Sequence, residues 1–366
     1  MRFADEPPPP TSPRQYSGLL GALHHCISGG DAPAAVSLLP TLARVGLRAP
    51  FPLLSSLAGL LLLRPAAPSF PSLAGRLLLY VRLAGLKRLV PCSTQLADRL
   101  LSLNFLLGRP RDARRLFTKM PRPPEFIPER NVCSWNALLK GYVYHGQPME
   151  ALNMFQHLVR EGLQPDQSTF VSCLSACAAM HSLKLGEQIH GILLRSGFDQ
   201  NDMIIASLID MYSKCSYLAC AREVFDLTVR ERKGAVLWNS MLSALCHHGH
   251  AQDAIGFFVH MIHERQKPDA NSFFLVLTAC CHCSLVEEGV KFFDLMSERY
   301  RIVPGEDHCL CMVDLVSHTS FDDKVVELIK SSLFSFNERF WEVVVRSCII
   351  HGNGGLLKEV EKQLTG

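Results

Sequence analysis

The side chains with most potential for chemistry are thiol and imidazole groups that cluster along the chain. Cys280, Cys281, His282 and Cys283 follow one another without interruption, and thiolate and imidazole are ligands that zinc prefers. Adjacent residues on a helix point in different directions, whereas the ligands of a zinc site are spaced so that they converge. We therefore expect this cluster to belong to a packed core, and we assign neither a metal nor a cofactor.

Other arrangements that could support catalysis are also absent from the sequence. His247, His248 and His250 flank Gly249, and we interpret them as solvated turn residues. The sequence contains no glycine-rich phosphate loop and no nucleophile motif. A zinc-dependent deaminase needs the arrangement H-x-E followed by C-x-x-C, which does not occur here. We therefore predict that the chain is not an enzyme.

These residues lie in a sequence that repeats itself with a period of 103 residues. The matching pairs include Trp135 with Trp238, Asn136 with Asn239, Phe155 with Phe258, Asp166 with Asp269, and Cys177 with Cys280. So many matches at a single offset indicate internal repetition. Such repetition predicts a repeat architecture more strongly than any single motif predicts a fold.

The period divides into three units, 132–166, 167–201 and 202–234, each of about the size of a helix–turn–helix repeat. Within the first unit, Gly146 breaks one apolar helical pattern and Pro148 suits the first turn of the next. One hairpin of this kind cannot bury its own apolar face, so neighbours must stack. The sequence therefore predicts an all-α fold, an α-solenoid of stacked helix–turn–helix repeats.

The same reasoning divides the whole chain. We expect a disordered or targeting N-terminus over 1–15, divergent helical repeats over 16–93 and a C-terminal extension over 341–366. Between them we expect repeats over 94–131, 132–166, 167–201, 202–234, 235–269, 270–307 and 308–340.

Several stretches resemble the plant pentatricopeptide-repeat family, in particular the PLS subclass, whose repeats alternate in three lengths. They include VCSWNALLKGYVYHGQPMEALNMF (132–155), FVSCLSACAAMHSLKLGEQIHGILLRSGF (170–198), SLIDMYSKC (207–215) and HCLCMVDLV (308–316). Tetratricopeptide repeats of similar size use different signature residues. The resemblance implies a solenoid whose concave groove binds single-stranded RNA, about one base per repeat.

The resemblance also implies which residues read the RNA, because base choice in this family depends mainly on the fifth and last residues of a repeat. The implied RNA-binding residues are Asn136 with Asp166, Asn239 with Asp269, and the neighbouring Cys133 and Val236, which could sandwich a base. An amide can donate and accept toward a Watson–Crick edge, and a carboxylate can orient that amide. In the family this pairing favours uracil, so we expect a preference of the form U-N-N-U. The alternative is that Asn136 and Asn239 only cap helices.

The other repeats depart from this pattern. Val171 with Asn201 and Ala206 with Gly234 are expected to discriminate poorly. Asp98 with Asn131 is an unusual pairing to which the sequence assigns no base.

Several functions are compatible with such an array. Residues 341–366 resemble only the start of the E-type extension, which in this subclass often precedes a DYW deaminase domain that we do not find. We therefore expect a site-recognition factor for C-to-U RNA editing that binds single-stranded organellar RNA. We expect the chain to be a monomer and a separate deaminase or editing cofactor to act in trans. The alternatives are a factor for splicing, stability or translation, a helical scaffold that binds proteins, and a degenerate gene product.

Composition restricts the cellular setting. The 37 basic and 34 acidic residues give a net charge of +3, which argues against binding of the histone type. The 14 cysteines fit free thiols in a reducing compartment. No apolar run is long enough to span a membrane. Residues 32–97 contain arginines but no acidic residue, which fits a transit peptide and equally fits divergent helices of the same array. Together with the resemblance to the plant family, we expect a mitochondrial or chloroplast protein, with the mitochondrion as first choice.

Overall fold

A computed structural model describes residues 13–45, 48–83, 94–120, 131–198, 201–228 and 234–317. All the regular secondary structure in these ranges is α-helical. The helices are α1 Pro13–Ser28, α2 Ala32–Arg44, α3 Phe51–Leu62, α4 Phe70–Leu83, α5 Thr94–Leu106, α6 Pro110–Lys119, α7 Val132–Tyr144, α8 Pro148–Arg160, α9 Gln167–Ala179, α10 Leu183–Arg195, α11 Asp202–Lys214, α12 Leu218–Leu227, α13 Ala235–His247, α14 Ala251–His263, α15 Ala270–Cys283, α16 Val286–Glu298 and α17 Glu306–Ser317. The predicted all-α fold class is confirmed.

Consecutive helices form hairpins whose turns follow the glycine and proline signals of the sequence. In the hairpin of α7 and α8, Gly146 has a φ of +65° in the turn, and Pro148 occupies the first turn of α8. Gly162, with a φ of +75°, follows the end of α8. A positive φ suits glycine because it has no Cβ to clash with the backbone, so these residues set where each helix ends.

The chain divides into two compact units, residues 1–180 and 181–366. In the first unit, α1, α3, α5, α7 and α9 pack against one another in chain order. In the second unit, α11, α13, α15 and α17 do the same. In each unit the first helices of successive hairpins therefore form one continuous row, as expected where each repeat contacts its neighbours.

Small residues allow the helices to approach closely within each unit. Ala151 and Ala254 are fully buried in α8 and α14. A Cβ atom added to Gly141 of α7 would lie 2.2 Å from the ring of Phe105 in α5. A larger side chain at Gly141 would therefore force these two helices apart or displace the ring.

Parts of the predicted organisation lie outside the described residues. These parts are residues 1–12 of the N-terminus, residues 46–47 and 84–93 of the predicted divergent repeats, residues 121–130, 199–200 and 229–233 between helices, and residues 318–366, which include most of the last predicted repeat and the whole of the predicted extension.

Candidate functional site

Asn136 lies in the second turn of α7, and it does not cap that helix. The cap is Asn131, whose side-chain oxygen accepts a hydrogen bond from the amide of Ser134 at 3.0 Å. Asn239 likewise lies inside α13, which begins after Gly234 without a side-chain cap. The interpretation of Asn136 and Asn239 as helix caps is therefore wrong, because both stand several residues inside their helices.

Asp166 is the N-cap of α9, and this position brings it against Asn136. Its carboxylate accepts a hydrogen bond from the Thr169 amide at 2.9 Å. The Thr169 hydroxyl accepts in turn from the Asp166 amide at 3.2 Å, which completes a capping box. The same carboxylate accepts from Nδ2 of Asn136, with distances of 2.9 and 3.0 Å to its two oxygens. Residues 30 positions apart in sequence thus form one polar pair.

Thr169 completes the site and was not identified from the sequence. Its hydroxyl donates to Oδ1 of Asn136 at 2.7 Å and is itself fully buried. Since a carboxylate only accepts and this hydroxyl donates to Oδ1, the orientation of the Asn136 amide is fixed. The signal available in the sequence was a hydroxyl residue three positions after the aspartate.

The second site repeats this network 103 residues later. Nδ2 of Asn239 donates to Asp269 at 3.0 Å, and the Ser272 hydroxyl donates to Oδ1 of Asn239 at 2.6 Å. Asp269 caps α15 by accepting from the Ser272 amide at 2.8 Å, and it also forms a capping box. Each of the two predicted asparagine–aspartate pairs is therefore in direct contact, with a hydroxyl as a third member.

The surroundings favour the ionised form of both aspartates. Partial burial raises the pKa of Asp166, but hydrogen bonds from Thr169 and Asn136 outweigh it and leave the pKa below its ordinary value. The pKa of Asp269 is lowered in the same way, against its burial, by hydrogen bonds from Ser272 and Asn239. Both groups therefore act as acceptors at neutral pH.

Cys133 and Val236 stand three residues before the asparagines of their helices. Residues at this spacing lie on the same side of a helix. Cys133 is exposed, and Val236 is 48% exposed. Asn136 and Asn239 are each only 7% exposed. An apolar, accessible side chain therefore lies beside each fixed amide.

The networks leave part of each amide available. Seen from Nδ2 of Asn136, the two carboxylate oxygens of Asp166 lie close together in direction, so a single N–H can donate to both. Its second N–H and one lone pair of Oδ1 then have no partner among the described residues. One donor beside one acceptor is the pattern that complements the Watson–Crick edge of a pyrimidine.

Among the residues that the structure describes, the repeats 167–201 and 202–234 lack this network. Asn201 caps α11 by accepting from the amides of Met203 and Ile204. Ala206 has no polar side-chain group, and Gly234 offers no side chain at the start of α13. Val171 is half-buried in α9.

The cluster expected in a packed core is buried only in part, since Cys281 and Cys283 are half-buried and His282 is exposed. Cys280 is fully buried, and Cys281 contacts the carbonyl oxygen of Cys311 at 3.1 Å. Within the residues that the structure describes, no group of three or more His, Cys, Asp or Glu side chains could bind a metal ion. His247 and His250 are exposed, but His248 is half-buried with Nε2 2.8 Å from the carbonyl oxygen of Ser213. The interpretation of His248 as a solvated turn residue is therefore wrong.

None of the helices in the described ranges combines the length and the apolarity needed to cross a membrane.

Comparison with known proteins identifies the repeats. A model of the PPR repeat family matches residues 130–179 and 233–282, and a second PPR repeat model matches residues 275–300. Each of the two matches to the first model contains all three members of one network.

Plant proteins of the same description are similar to the chain over most of its length. A putative pentatricopeptide repeat-containing protein of Arabidopsis thaliana is 37% identical over 65% of this chain and 29% of its own length. A second Arabidopsis pentatricopeptide repeat-containing protein is 29% identical over 93% of this chain and 41% of its own length. The chloroplastic pentatricopeptide repeat-containing protein CRR2 of Arabidopsis is 35% identical over 65% of this chain and 36% of its own length. The chain thus spans less than half the length of these relatives.

Solved structures show the same fold. The pentatricopeptide repeat protein PPR10 from maize matches with a TM-score of 0.62 at 15% identity, over 95% of this chain and 53% of the maize chain. The structure of PPR10 in complex with an 18-nt psaJ RNA element matches with a TM-score of 0.57, over 95% of this chain and 55% of that chain. The matched repeats, the plant relatives and the solenoid fold together support the identification of this chain as a pentatricopeptide-repeat protein.

Proposed function

We propose that the chain binds single-stranded RNA and reads uracil at two positions, through Asn136 with Asp166 and through Asn239 with Asp269. The observation that carries the proposal is the amide fixed between a carboxylate and a hydroxyl, formed twice at the same offset. A fixed amide loses little conformational entropy on binding a base edge. Binding of an RNA element by PPR10, which shares the fold, adds support.

Uracil is favoured over cytosine by the resemblance to the family. The hydrogen-bonding capacity left on each amide fits either pyrimidine, because both place a donor beside an acceptor. Cys133 and Val236 supply apolar contact for the base beside each amide. Two repeats lie between the two sites along the chain, so the preferred sequence has the form U-N-N-U.

The cellular role that we propose is recognition of a site in organellar RNA, with C-to-U editing as the process. The chloroplastic relative CRR2 supports an organellar setting. In this role the chain positions the RNA, and a separate deaminase or editing cofactor carries out the chemistry. Roles in splicing, stability or translation would use the same RNA-binding sites.

The test is selection of bound RNAs from a randomised single-stranded pool, repeated with variants. The expected result for the unchanged protein is enrichment of uracils three positions apart. Asn136→Ala should remove the selection at one uracil and Asn239→Ala at the other, with about a tenfold loss of affinity each. The control is Asn153→Ala, an exposed asparagine in α8 of the same hairpin. Absence of any enrichment would refute base reading and favour a protein-binding scaffold.

A further inference from the structure

A third polar cluster, between α5 and the start of α7, has the same layout as the two networks, with amide and carboxylate exchanged. Asp98 lies in the second turn of α5, Asn131 caps α7, and Ser134 follows the cap by three residues. The Ser134 hydroxyl donates to Oδ1 of Asp98 and lies 3.2 Å from Oδ1 of Asn131. The positions match those of Asn136, Asp166 and Thr169.

Asp98 has far fewer hydrogen-bond donors than Asp166. It is half-buried, and among the described residues its carboxylate accepts only from Ser134 and forms no salt bridge. Burial raises the pKa of Asp98 above its ordinary value, and the Ser134 hydrogen bond only partly opposes this. A partly desolvated carboxylate gains from additional N–H donors.

The orientation of Asn131 is fixed by its role as a cap. Its Oδ1 accepts from the Ser134 amide at 3.0 Å. The amide NH2 group therefore faces away from the helix, and it has no partner among the described residues. Asn131 is exposed. The cluster thus combines acceptors on Asp98 with a free donor on Asn131.

We propose that Asp98 and Asn131 select guanine at the RNA position next to the first uracil, an inference that rests on the RNA-binding function proposed above. The Watson–Crick edge of guanine presents N1–H and N2–H2, which can both donate to one carboxylate, beside an O6 acceptor for the Asn131 amide. Adenine and cytosine place a ring-nitrogen acceptor beside their single amine. Uracil flanks its single N–H with two carbonyl oxygens. These acceptors would face the carboxylate and repel it.

The test measures binding of the unchanged full chain to four RNAs of the form X-U-A-A-U-X, where X is one of the four bases. Because the same base stands at both ends, the result is independent of the direction in which the RNA lies along the chain. The guanine RNA is expected to bind about tenfold more tightly than the other three, the effect of one bidentate base contact. Equal affinity for all four RNAs would overturn the assignment.

A fifth RNA separates failure of this inference from failure of the proposed function. In G-A-A-A-A-G both uracils are replaced. Equal affinity for the four bases at X, together with loss of binding to this RNA, refutes the guanine site alone. If the uracils also have no effect, the proposed function fails and the guanine site fails with it.

Two variants test whether Asp98 causes the guanine preference. Asp98→Asn retains the shape of the side chain but replaces one acceptor by a donor, so guanine preference should fall to within about twofold of the other bases. Asp112→Asn is the matched control, because it removes the same charge from an exposed residue of the same hairpin and should retain the preference. Circular dichroism verifies that both variants are folded. A guanine preference that survives Asp98→Asn would overturn the proposal.

Discussion

Helices α9 and α13 start in the same relation to the preceding hairpin but in chemically different ways. Helix α9 starts at Asp166, within a network that includes Asn136 and Thr169. Helix α13 starts at Gly234, without any side-chain cap. Both helices are 13 residues long, and each packs on the first helix of the preceding hairpin. The network is therefore not required to form or stack a repeat.

Apolar packing is the same where a first helix begins with a polar side-chain cap and where it begins without one. Phe117 contacts Trp135 at a ring separation of 4.6 Å, and Phe225 contacts Trp238 at 5.0 Å, both edge to face. Trp135 lies four residues after Asn131, which caps α7 with its side chain. Trp238 lies four residues after Gly234, where α13 begins without a side-chain cap. Since the same aromatic contact occurs in both settings, burial stabilises the array, and the polar networks are free to serve another purpose.

The largest expected effect comes from building the missing network into the hairpin of α11 and α12. Ala206→Asn together with Gly234→Asp places an amide and a carboxylate at the positions of Asn239 and Asp269. Gly234 has a φ of −69°, and no atom lies within 4 Å of an added Cβ, so the change fits. We expect an additional uracil preference of about tenfold, with U-U-U-U favoured over U-A-A-U in a binding titration, whichever direction the RNA takes along the chain.

The control for this gain of function is Gly234→Asp alone. It should stabilise the start of α13 by only about 0.3 kcal/mol, since glycine is itself tolerated at an N-cap, and it should produce no new base preference, because Ala206 still offers no hydrogen bond. If the single and double variants select the same RNAs, the fifth residue of the repeat does not read the base.

The second effect concerns the stability of α9. Asp166→Ala removes the cap and should lower the local free energy of opening by about 1 kcal/mol, which makes the Phe170 amide, bonded to the carbonyl oxygen of residue 166 in either protein, exchange about fivefold faster. Asp166→Asn retains a capping oxygen and should lose less. Hydrogen exchange read by NMR or mass spectrometry at neutral pH measures both. Equal exchange in all three proteins would show that the cap does not stabilise the helix.

This stabilisation should depend on pH with a defined sign. The pKa of Asp166 is lower in the folded chain than its ordinary value, so the folded state favours the carboxylate. Its contribution is present above the unfolded pKa, about 3.9, and is lost as the pH falls through the folded pKa. Burial raises the pKa of Asp98, which gives the opposite sign, so protonation of Asp98 should favour the folded state. The two aspartates therefore provide opposite pH trends in one chain.

The fold could be predicted from the sequence more fully than the site. Apolar periodicity and signals such as Gly146 and Pro148 act within a few residues, so the helices and turns could be predicted locally. Contact between Asn136 and Asp166 could be expected only from the resemblance, since it depends on how α7 packs on α9. Thr169 was missed because its hydroxyl is used twice, in a local capping box and in a contact with the preceding hairpin, and only the first leaves a pattern in the sequence.

The smallest effect should come from the hydroxyl itself. Ser272→Ala removes the donor to Oδ1 of Asn239, but Asp269 still accepts from Nδ2 and continues to orient the amide. Since one of two orienting contacts remains, discrimination of uracil from cytosine at the Asn239 position should fall only about threefold, the range of a single hydrogen bond. Ser272→Thr should restore it, because Thr169 makes the equivalent contact at 2.7 Å. Discrimination at the Asn136 position serves as an internal control, and a loss there as well would mean that Ser272 acts on the fold instead of on the orientation of one amide.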